Sequence, residues 1–224
     1  MKKLLFVVFF FASLGLFAQQ NPALITVTGK GTVNVTPDKV LIKARVEHTG
    51  KSASEVKAQN DKVVNDIIKY LKSQGIPSKN FQTEYLNLNK DYNYNTKETF
   101  YSANQAISIQ LNDLSKYETL MGGLLNSGLN RIDGIQFQTS KREKLESEAR
   151  KKAVLNALEK AKEYAGALGQ EVGKAHSISE MDNGNFPPMY RALEMQDSAS
   201  SKQETIAPGE MEVTVKVNVS FLLK

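Results

Sequence analysis

Cysteine is absent from the 224 residues of this chain. Without cysteine the protein has no disulfide bonds, no thiolate nucleophile and no cysteine-ligated metal. Its stability must therefore come from core packing or from assembly with copies of itself. The charge balance is also modest, at +5, which is too small to indicate a nucleic-acid partner.

Histidine is scarce, since only His48 and His176 occur. His176 and Glu180 are four residues apart, a spacing typical of metal ligands on a helix, but on a strand it separates them by about 13 Å. No Gly-x-Ser-x-Gly motif accompanies the histidines. We therefore expect a non-enzymatic protein with no catalytic residue, cofactor or metal. The enzyme alternative requires His48 or His176 in a cleft beside a carboxylate or hydroxyl group.

Long apolar runs are equally rare, because only residues 4–17 form one. Lys2 and Lys3 precede this run and Ala18 follows it, a pattern typical of a cleavable signal peptide over residues 1–18. The alternative is a retained N-terminal anchor. No cysteine follows the run, which excludes a lipid-anchored lipoprotein. The sequence therefore predicts an exported protein, either periplasmic or associated with the outer membrane.

Strict alternation of apolar and polar residues predicts strands at 25–35, 40–46 and 211–221. Gly29 and Gly31 interrupt the apolar face of the first strand, which indicates close approach by another backbone. Gly29-Lys30-Gly31 is not a phosphate-binding loop, because no helix follows it directly. Further strands are expected at 81–88, 105–111, 132–139 and 172–179.

Three helices are predicted, each opening with a Ser-x-x-Glu capping box and ending at a glycine. The serine and glutamate pairs are Ser52 with Glu55, Ser115 with Glu118, and Ser140 with Glu143. The closing glycines are Gly75, Gly128 and Gly169. The expected buried positions of the first two helices are Val56, Val63, Val64, Ile67 and Leu71, then Tyr117, Leu120, Met121, Leu124 and Leu125.

The third helix, 140–169, carries alanine at every fourth position of one face. The alanines are Ala149, Ala153, Ala157, Ala161 and Ala165. A stripe of such small residues allows unusually close packing, so we predict that it lies against Gly29 and Gly31, with strand 211–221 nearby. Basic and acidic residues alternate on the other face, which indicates a solvated surface, with weak attraction to anionic envelope lipids left open.

These elements predict an α+β fold with mostly antiparallel or mixed sheets and three helices packed on one face. Two strand–helix–strand units, the long third helix and the C-terminal strand make up a single domain, 19–224. Residues 182–209 lack periodicity and are expected to form a long loop. The four methionines in or beside this loop are too irregularly spaced to favour a copper site.

Aromatic residues are concentrated in the Tyr/Asn-rich segment 87–104. The candidates for a partner or oligomer surface are Tyr92, Tyr94, Phe100 and Tyr101, because tyrosine is favoured at interfaces. The alternative is a simple hairpin whose rings pair across its strands.

Several short motifs in a fixed order resemble those of the SIMPL-domain family of exported bacterial proteins. They are Val27-x-Gly29-x-Gly31-x-Val33-x-Val35-x-Pro37-Asp38, Gly75-Ile76, Leu111-x-Asp113-Leu114, Glu148-Ala149-Arg150-x-x-Ala153, Ala165-x-x-Leu168-Gly169 and Pro208-Gly209-Glu210. The resemblance implies an α+β fold, an envelope location, links to oxidative-stress defence and, in one relative, ring-shaped oligomers. It supplies no catalytic residues.

Together these features predict an exported envelope protein that acts by self-assembly or partner binding and contributes to stress defence. A homo-oligomer with peripheral association to the envelope is expected, and no nucleic acid. The alternative function is a periplasmic small-ligand or lipid-binding module, with an apolar cleft bordered by segment 87–104 and loop 182–209.

Overall fold

The computed structural model describes residues 22–181, 190–191 and 208–224, and it confirms the α+β class. The strands are β1 (Leu24–Val35), β2 (Lys39–Gly50), β3 (Phe81–Asn93), β4 (Glu98–Leu111), β5 (Arg131–Gln138), β6 (Val172–Met181), β7 (Tyr190–Arg191) and β8 (Glu210–Leu223). The helices are α1 (Ala53–Ser73), α2 (Tyr117–Asn126) and α3 (Arg142–Ala167). The expected signal peptide, and nearly all of the expected loop 182–209, lie outside the described residues.

The strands form two sheets in which every pairing is antiparallel. The first has the order β1-β8-β6, with β7 paired to the start of β8, and the second has the order β3-β4-β2-β5. The C-terminal strand β8 is therefore the central strand of the first sheet. Both strand–helix–strand units belong to the second sheet. Helices α1 and α2 share its core, whereas α3 packs on the first sheet.

The predicted C-terminal ends of the helices are confirmed, whereas the predicted N-terminal caps are not. Gly75, Gly128 and Gly169 have φ of +73°, +98° and +68° and end their helices as expected. The capping boxes were wrong. The Ser52 hydroxyl contacts Ser54 instead of the backbone, and the carboxylate of Asp113, rather than Ser115, accepts the first amide before α2. At α3 the predicted cap Ser140 donates to Asp38.

The core of the second sheet is built from branched aliphatic side chains of β2 and β4 beneath α1 and α2. The predicted stripe of α1 is buried except for the half-buried Val63, whereas Leu125 of α2 is exposed and was wrongly assigned. Asn60 is fully buried in this core and was not predicted. Its amide donates to the backbone oxygens of Val46 and Ala103, at 3.0 and 3.3 Å. This single polar side chain therefore ties α1 to both central strands.

The core of the first sheet is the predicted contact between the alanine stripe and the two glycines. All five stripe alanines are fully buried, and the first four share a core with apolar side chains of β1 and β8. A methyl group on Gly29 would lie 2.0 Å from the backbone oxygen of Ala153, and one on Gly31 equally close to that of Ala149. The backbones of α3 and β1 are therefore almost in contact, which only glycine at these two positions permits.

Polar side chains of α3 also cover the outer edge of β1. Lys152 and Lys160 donate to the backbone oxygens of Thr32 and Thr28, at 3.2 and 2.9 Å. Between them, the side-chain oxygen of Asn156 accepts from the Lys30 amide at 3.0 Å. An unpaired strand edge is a template for unwanted strand addition, so these three side chains close this edge of the sheet.

The two sheets are connected where β1 leads into β2 and where β5 leads into α3. The Asp38 carboxylate accepts hydrogen bonds from both the backbone amide and the hydroxyl of Ser140, each at 2.6 Å. The Asp38 amide in turn donates to Gln138. Desolvation raises the pKa of Asp38, but the Ser140 hydrogen bonds and the nearby Lys39 and Lys141 lower it, and the net effect is a lowered pKa.

Candidate functional site

The Tyr/Asn-rich segment forms the far end of the β3–β4 hairpin. The two strands pair from Phe81 with Ile109 to Asn93 with Glu98, and residues 94–97 make the turn. The Asn93 side-chain oxygen accepts the amides of Asn95 and Thr96, which fixes the turn locally. The hairpin interpretation of the backbone is confirmed, and the partner surface remains a prediction.

One face of this hairpin end carries several exposed apolar side chains beside Lys90. Directly paired residues share a face of an antiparallel ladder, and Leu88 pairs with Ala103 while Lys90 pairs with Tyr101. Leu88 and Tyr92 are 41% and 48% exposed. We call the following set the hairpin strip: Leu86, Leu88, Tyr92 and Tyr101. It lies on the same face of the sheet as α1, because Ala103 belongs to the core beneath that helix.

The structure separates the four aromatic residues that the sequence singles out. Tyr92 and Tyr94 lie together, with ring centroids 5.1 Å apart and an edge-to-face angle of 86°. Tyr101 lies on the face of Tyr92, but Phe100 is one residue away on β4 and points to the opposite face. The ring contact thus runs along one strand into the turn rather than across the hairpin.

Leu86 and Leu88 belong to the strip but were not among the predicted site residues. The signal that could have found them is the alternation Leu86-Asn87-Leu88-Asn89, which places both leucines on one face. A β-bulge between Thr83 and Leu86 sets which face that is. Alternation alone groups both leucines with Tyr92, but it does not reveal the bulge, so only the register shows that this face carries α1 and includes Tyr101.

The opposite face of the second sheet is charged rather than apolar. The Arg45 guanidinium binds Asp133 at 2.9 Å and lies 5.9 Å from the ring centroid of Tyr85. Arg131 binds both Glu47 and Asp133, at 3.0 and 2.9 Å, and these hydrogen bonds and charges raise its pKa. The two faces of the hairpin sheet therefore differ in polarity: this face carries the charged network beside the exposed ring of Tyr85, and the other carries the hairpin strip.

The two histidines lie far apart in the fold. His48 is half-buried near the end of β2, with an Nδ1 atom that is buried and without a partner. His176 is exposed on β6, where Glu180 binds Arg150 at 2.9 Å and raises the pKa of that guanidinium. Within the described ranges, no three His, Asp or Glu side chains are grouped to hold a metal ion.

Two shallow hollows are lined by described residues away from the hairpin. An open one of about 520 Å³ borders the outer face of β1, lined by Lys30, Thr32, Asn34, Lys152 and Glu212. The other, about 240 Å³, lies where the two sheets meet. Of the helices in the described part of the chain, none combines the length and apolar character needed to cross a membrane.

Comparison with known proteins finds relatives that align with nearly the whole chain. The SIMPL family model, described as a protein of unknown function (DUF541), matches residues 25–221. The 26 kDa periplasmic immunogenic protein of Brucella melitensis is 31% identical over 95% of this chain and 91% of its own length.

Two further relatives extend the comparison. The uncharacterized protein YggE of Escherichia coli K12 is 27% identical, over 94% of this chain and 89% of its own length. The human interleukin-1 receptor-associated kinase 1-binding protein 1 is 26% identical, over 92% of this chain and 79% of its own length. The matched range includes every helix and the glycine–alanine contact between β1 and α3. The chain therefore belongs to the SIMPL family, as its ordered motifs indicate.

Proposed function

We propose that this protein is exported to the cell envelope and acts there without catalysis, by binding copies of itself or another protein through the hairpin strip. The observation that carries the proposal is the concentration of exposed leucine and tyrosine on one face of the β3–β4 hairpin. Apolar area that is contiguous and exposed is typical of an interaction surface. Tyrosine adds a large contact area with a polar group at its end.

The relatives support binding and export. One Brucella relative is named a periplasmic protein, and the distant human relative is named for binding a kinase. None of the three relatives described above is named for a reaction. In this proposal residues 1–18 are a cleaved signal peptide, and 19–224 form one domain at the periplasm or the outer membrane. Mass spectrometry of protein purified from its own envelope should give a chain that begins at Gln19; an intact N-terminus would support a retained anchor.

The self-association is tested by light scattering coupled to size exclusion over a wide concentration range. We expect the mature wild type to be oligomeric and the variant Leu88→Ser/Tyr92→Ser to dissociate, because it removes apolar contact area from the strip. The matched control is Leu155→Ser/Tyr164→Ser, which changes the same residue types at positions on α3 that are 66% and 57% exposed. A wild type that is monomeric throughout would overturn the self-association, and dissociation of the control alone would move the interface to α3.

A contribution to oxidative or envelope stress defence is the wider role that we propose. A deletion strain should survive hydrogen peroxide less well than its parent. Wild-type protein should restore survival, whereas the Leu88→Ser/Tyr92→Ser variant, expressed at the same level, should not. Equal rescue by both proteins would separate the stress role from the strip.

The second candidate function is a periplasmic module that binds a small ligand or lipid. It is supported by the volume of about 240 Å³ at the junction of the sheets, which borders Phe137 and Met211. Native mass spectrometry of protein purified from its own envelope should then show a co-purifying molecule. Replacement of Met211 by Trp should fill the hollow and reduce the amount bound, whereas a protein free of any adduct would argue against this function.

A further inference from the structure

Two lysines face each other in the middle of the open face of the first sheet. In the β1–β8 register Lys30 pairs directly with Lys216, and both side chains are exposed on the face that α3 does not cover. The third residue of this row is Met181 of β6, which pairs with Lys216 on its other side. We call Lys30 and Lys216 the lysine pair.

This arrangement is unfavourable for the fold alone. Like charges directly opposite each other in a sheet repel, because their Cβ atoms are only about 5 Å apart. Within residues 22–181 and 208–224, no carboxylate lies within 4.0 Å of either ammonium group. No ion pair with a carboxylate in these ranges therefore offsets the repulsion directly, and an external anion would relieve it.

Hydrogen-bonding groups flank the lysine pair on both sides. In the next row Thr28 donates its hydroxyl to the side-chain oxygen of Asn218 at 2.6 Å, so the remaining polar group of Asn218 is its amide donor. In the adjacent row on the other side of the pair, Thr32 and Thr214 share a hydrogen bond of 3.0 Å. An oxyanion with several oxygens, placed between the ammonium groups, would find both charge and hydrogen-bond donors.

The shape of this face indicates whether such an anion is free in solution or displayed on a surface. The hollow beside Lys30 and Lys152 is open, and among the described residues that line it the one carboxylate, Glu212, lies toward the Asn34 end of the sheet. A flat, open face gives a small free anion few contacts, but it can lie against many phosphate groups displayed on a surface. Met181, which is exposed beside the pair, can enter the boundary between headgroups and acyl chains.

We propose that the outer face of the first sheet binds the phosphate headgroups of an anionic lipid surface through Lys30 and Lys216. Each lysine near such a surface contributes favourable electrostatic energy that salt screens. The inference rests on the envelope location proposed above and names a surface and a ligand chemistry for peripheral association. It does not depend on the hairpin strip, which belongs to the other sheet.

The test is co-sedimentation of the mature protein with vesicles of phosphatidylcholine, with and without phosphatidylglycerol. Wild type should bind only the vesicles that contain phosphatidylglycerol. The variant Lys30→Gln/Lys216→Gln should bind them roughly twentyfold more weakly and should be at least as thermally stable as wild type. The control Lys62→Gln/Lys79→Gln removes the same charge from exposed positions around the second sheet and should retain most of the binding.

Equal weakening by both double variants would mean that only net charge matters and would overturn the site. Unchanged binding by Lys30→Gln/Lys216→Gln would overturn it too. A parallel titration with inorganic phosphate separates the two sources: saturable binding of phosphate that the variant loses, without vesicle binding, would overturn the lipid surface. Because the oligomeric state is measured separately on hairpin variants, a failure here leaves the self-association open.

Discussion

Gly29 of β1 lies directly beneath Ala153 of α3, so close that a methyl group on the glycine would be 2.0 Å from the alanine's backbone oxygen. This contact sets the distance between the helix and the first sheet. The alanines above and below it extend the same close packing along the helix.

Gly29→Ala should therefore be strongly destabilising. The added methyl group meets backbone atoms that cannot rotate away, so we expect a loss of about 3 kcal/mol or more in the free energy of unfolding. Urea denaturation measures it. Gly166→Ala is the control, since nothing lies within 4 Å of the added methyl group in α3, and it should be neutral or stabilising by up to about 1 kcal/mol. Similar midpoints for the two variants would contradict the contact.

Ala157→Leu should overpack the same interface from the helix side. Ala157 is fully buried against β1, and a larger side chain can be accommodated only if the helix shifts, at a cost of about 1–3 kcal/mol. Lys162→Leu places the same side chain on the exposed face of α3 and should change stability by less than about 0.5 kcal/mol. Thermal unfolding of both variants, in parallel with wild type, measures these two changes in stability. Equal stability of the two variants would contradict the packing of Ala157 against β1.

Asn60→Ala should destabilise the second sheet. The substitution removes two hydrogen bonds to the backbone of β2 and β4 and leaves a cavity in a fully buried position, at a combined cost of about 2–3 kcal/mol. Asn60→Asp should be worse at neutral pH because it buries a charge without a partner. Its deficit relative to wild type should shrink as the pH is lowered and the carboxyl becomes protonated. A deficit that is independent of pH would contradict this explanation.

Acid should weaken the link between the two sheets. The folded-state pKa of Asp38 is lowered, so the carboxylate contributes stability that is fully present above its unfolded pKa, near 3.8, and is lost as the pH falls through the lower folded value. Asp38→Asn should therefore cost about 1 kcal/mol at neutral pH, and the difference from wild type should shrink as the pH falls below 3.8 and through the lowered folded-state pKa. A double-mutant cycle with Ser140→Ala should give a coupling energy that disappears over the same range. Coupling that persisted in acid would show that charge is not the cause.

Strong local periodicity made much of the fold predictable. Period-two alternation identified β1, β2 and β8, and the spacing of four identified the alanine stripe of α3, because burial of one face imposes a pattern on neighbouring residues. Glycines at the helix ends were equally clear, since few other residues tolerate positive φ. Even the contact between Gly29 and the stripe followed from the sequence. The apolar face of β1 and the alanine face of α3 both lack large side chains, and each therefore indicates a partner that packs unusually close.

The caps and the hairpin strip could not be predicted in the same way. A Ser-x-x-Glu pattern is compatible with a capping box, but Ser140 found a stronger partner in Asp38, which is 102 residues away in the chain. Leu125 fits the apolar period of α2, yet it is exposed because that side of the helix has no sheet beneath it.

The sequence by itself determined the α+β class and the close packing of α3, since each depends on composition or on short-range periodicity, and it predicts export. Only the tertiary structure decided which side chains meet across strands. A bulge in β3 places Leu86, Leu88 and Tyr92 on the face of the sheet that carries α1, and the β1–β8 register sets Lys30 opposite Lys216. Register is a relation between distant segments, and a shift of one residue would turn every side chain to the other face. Both candidate surfaces of this protein therefore arise from strand pairing.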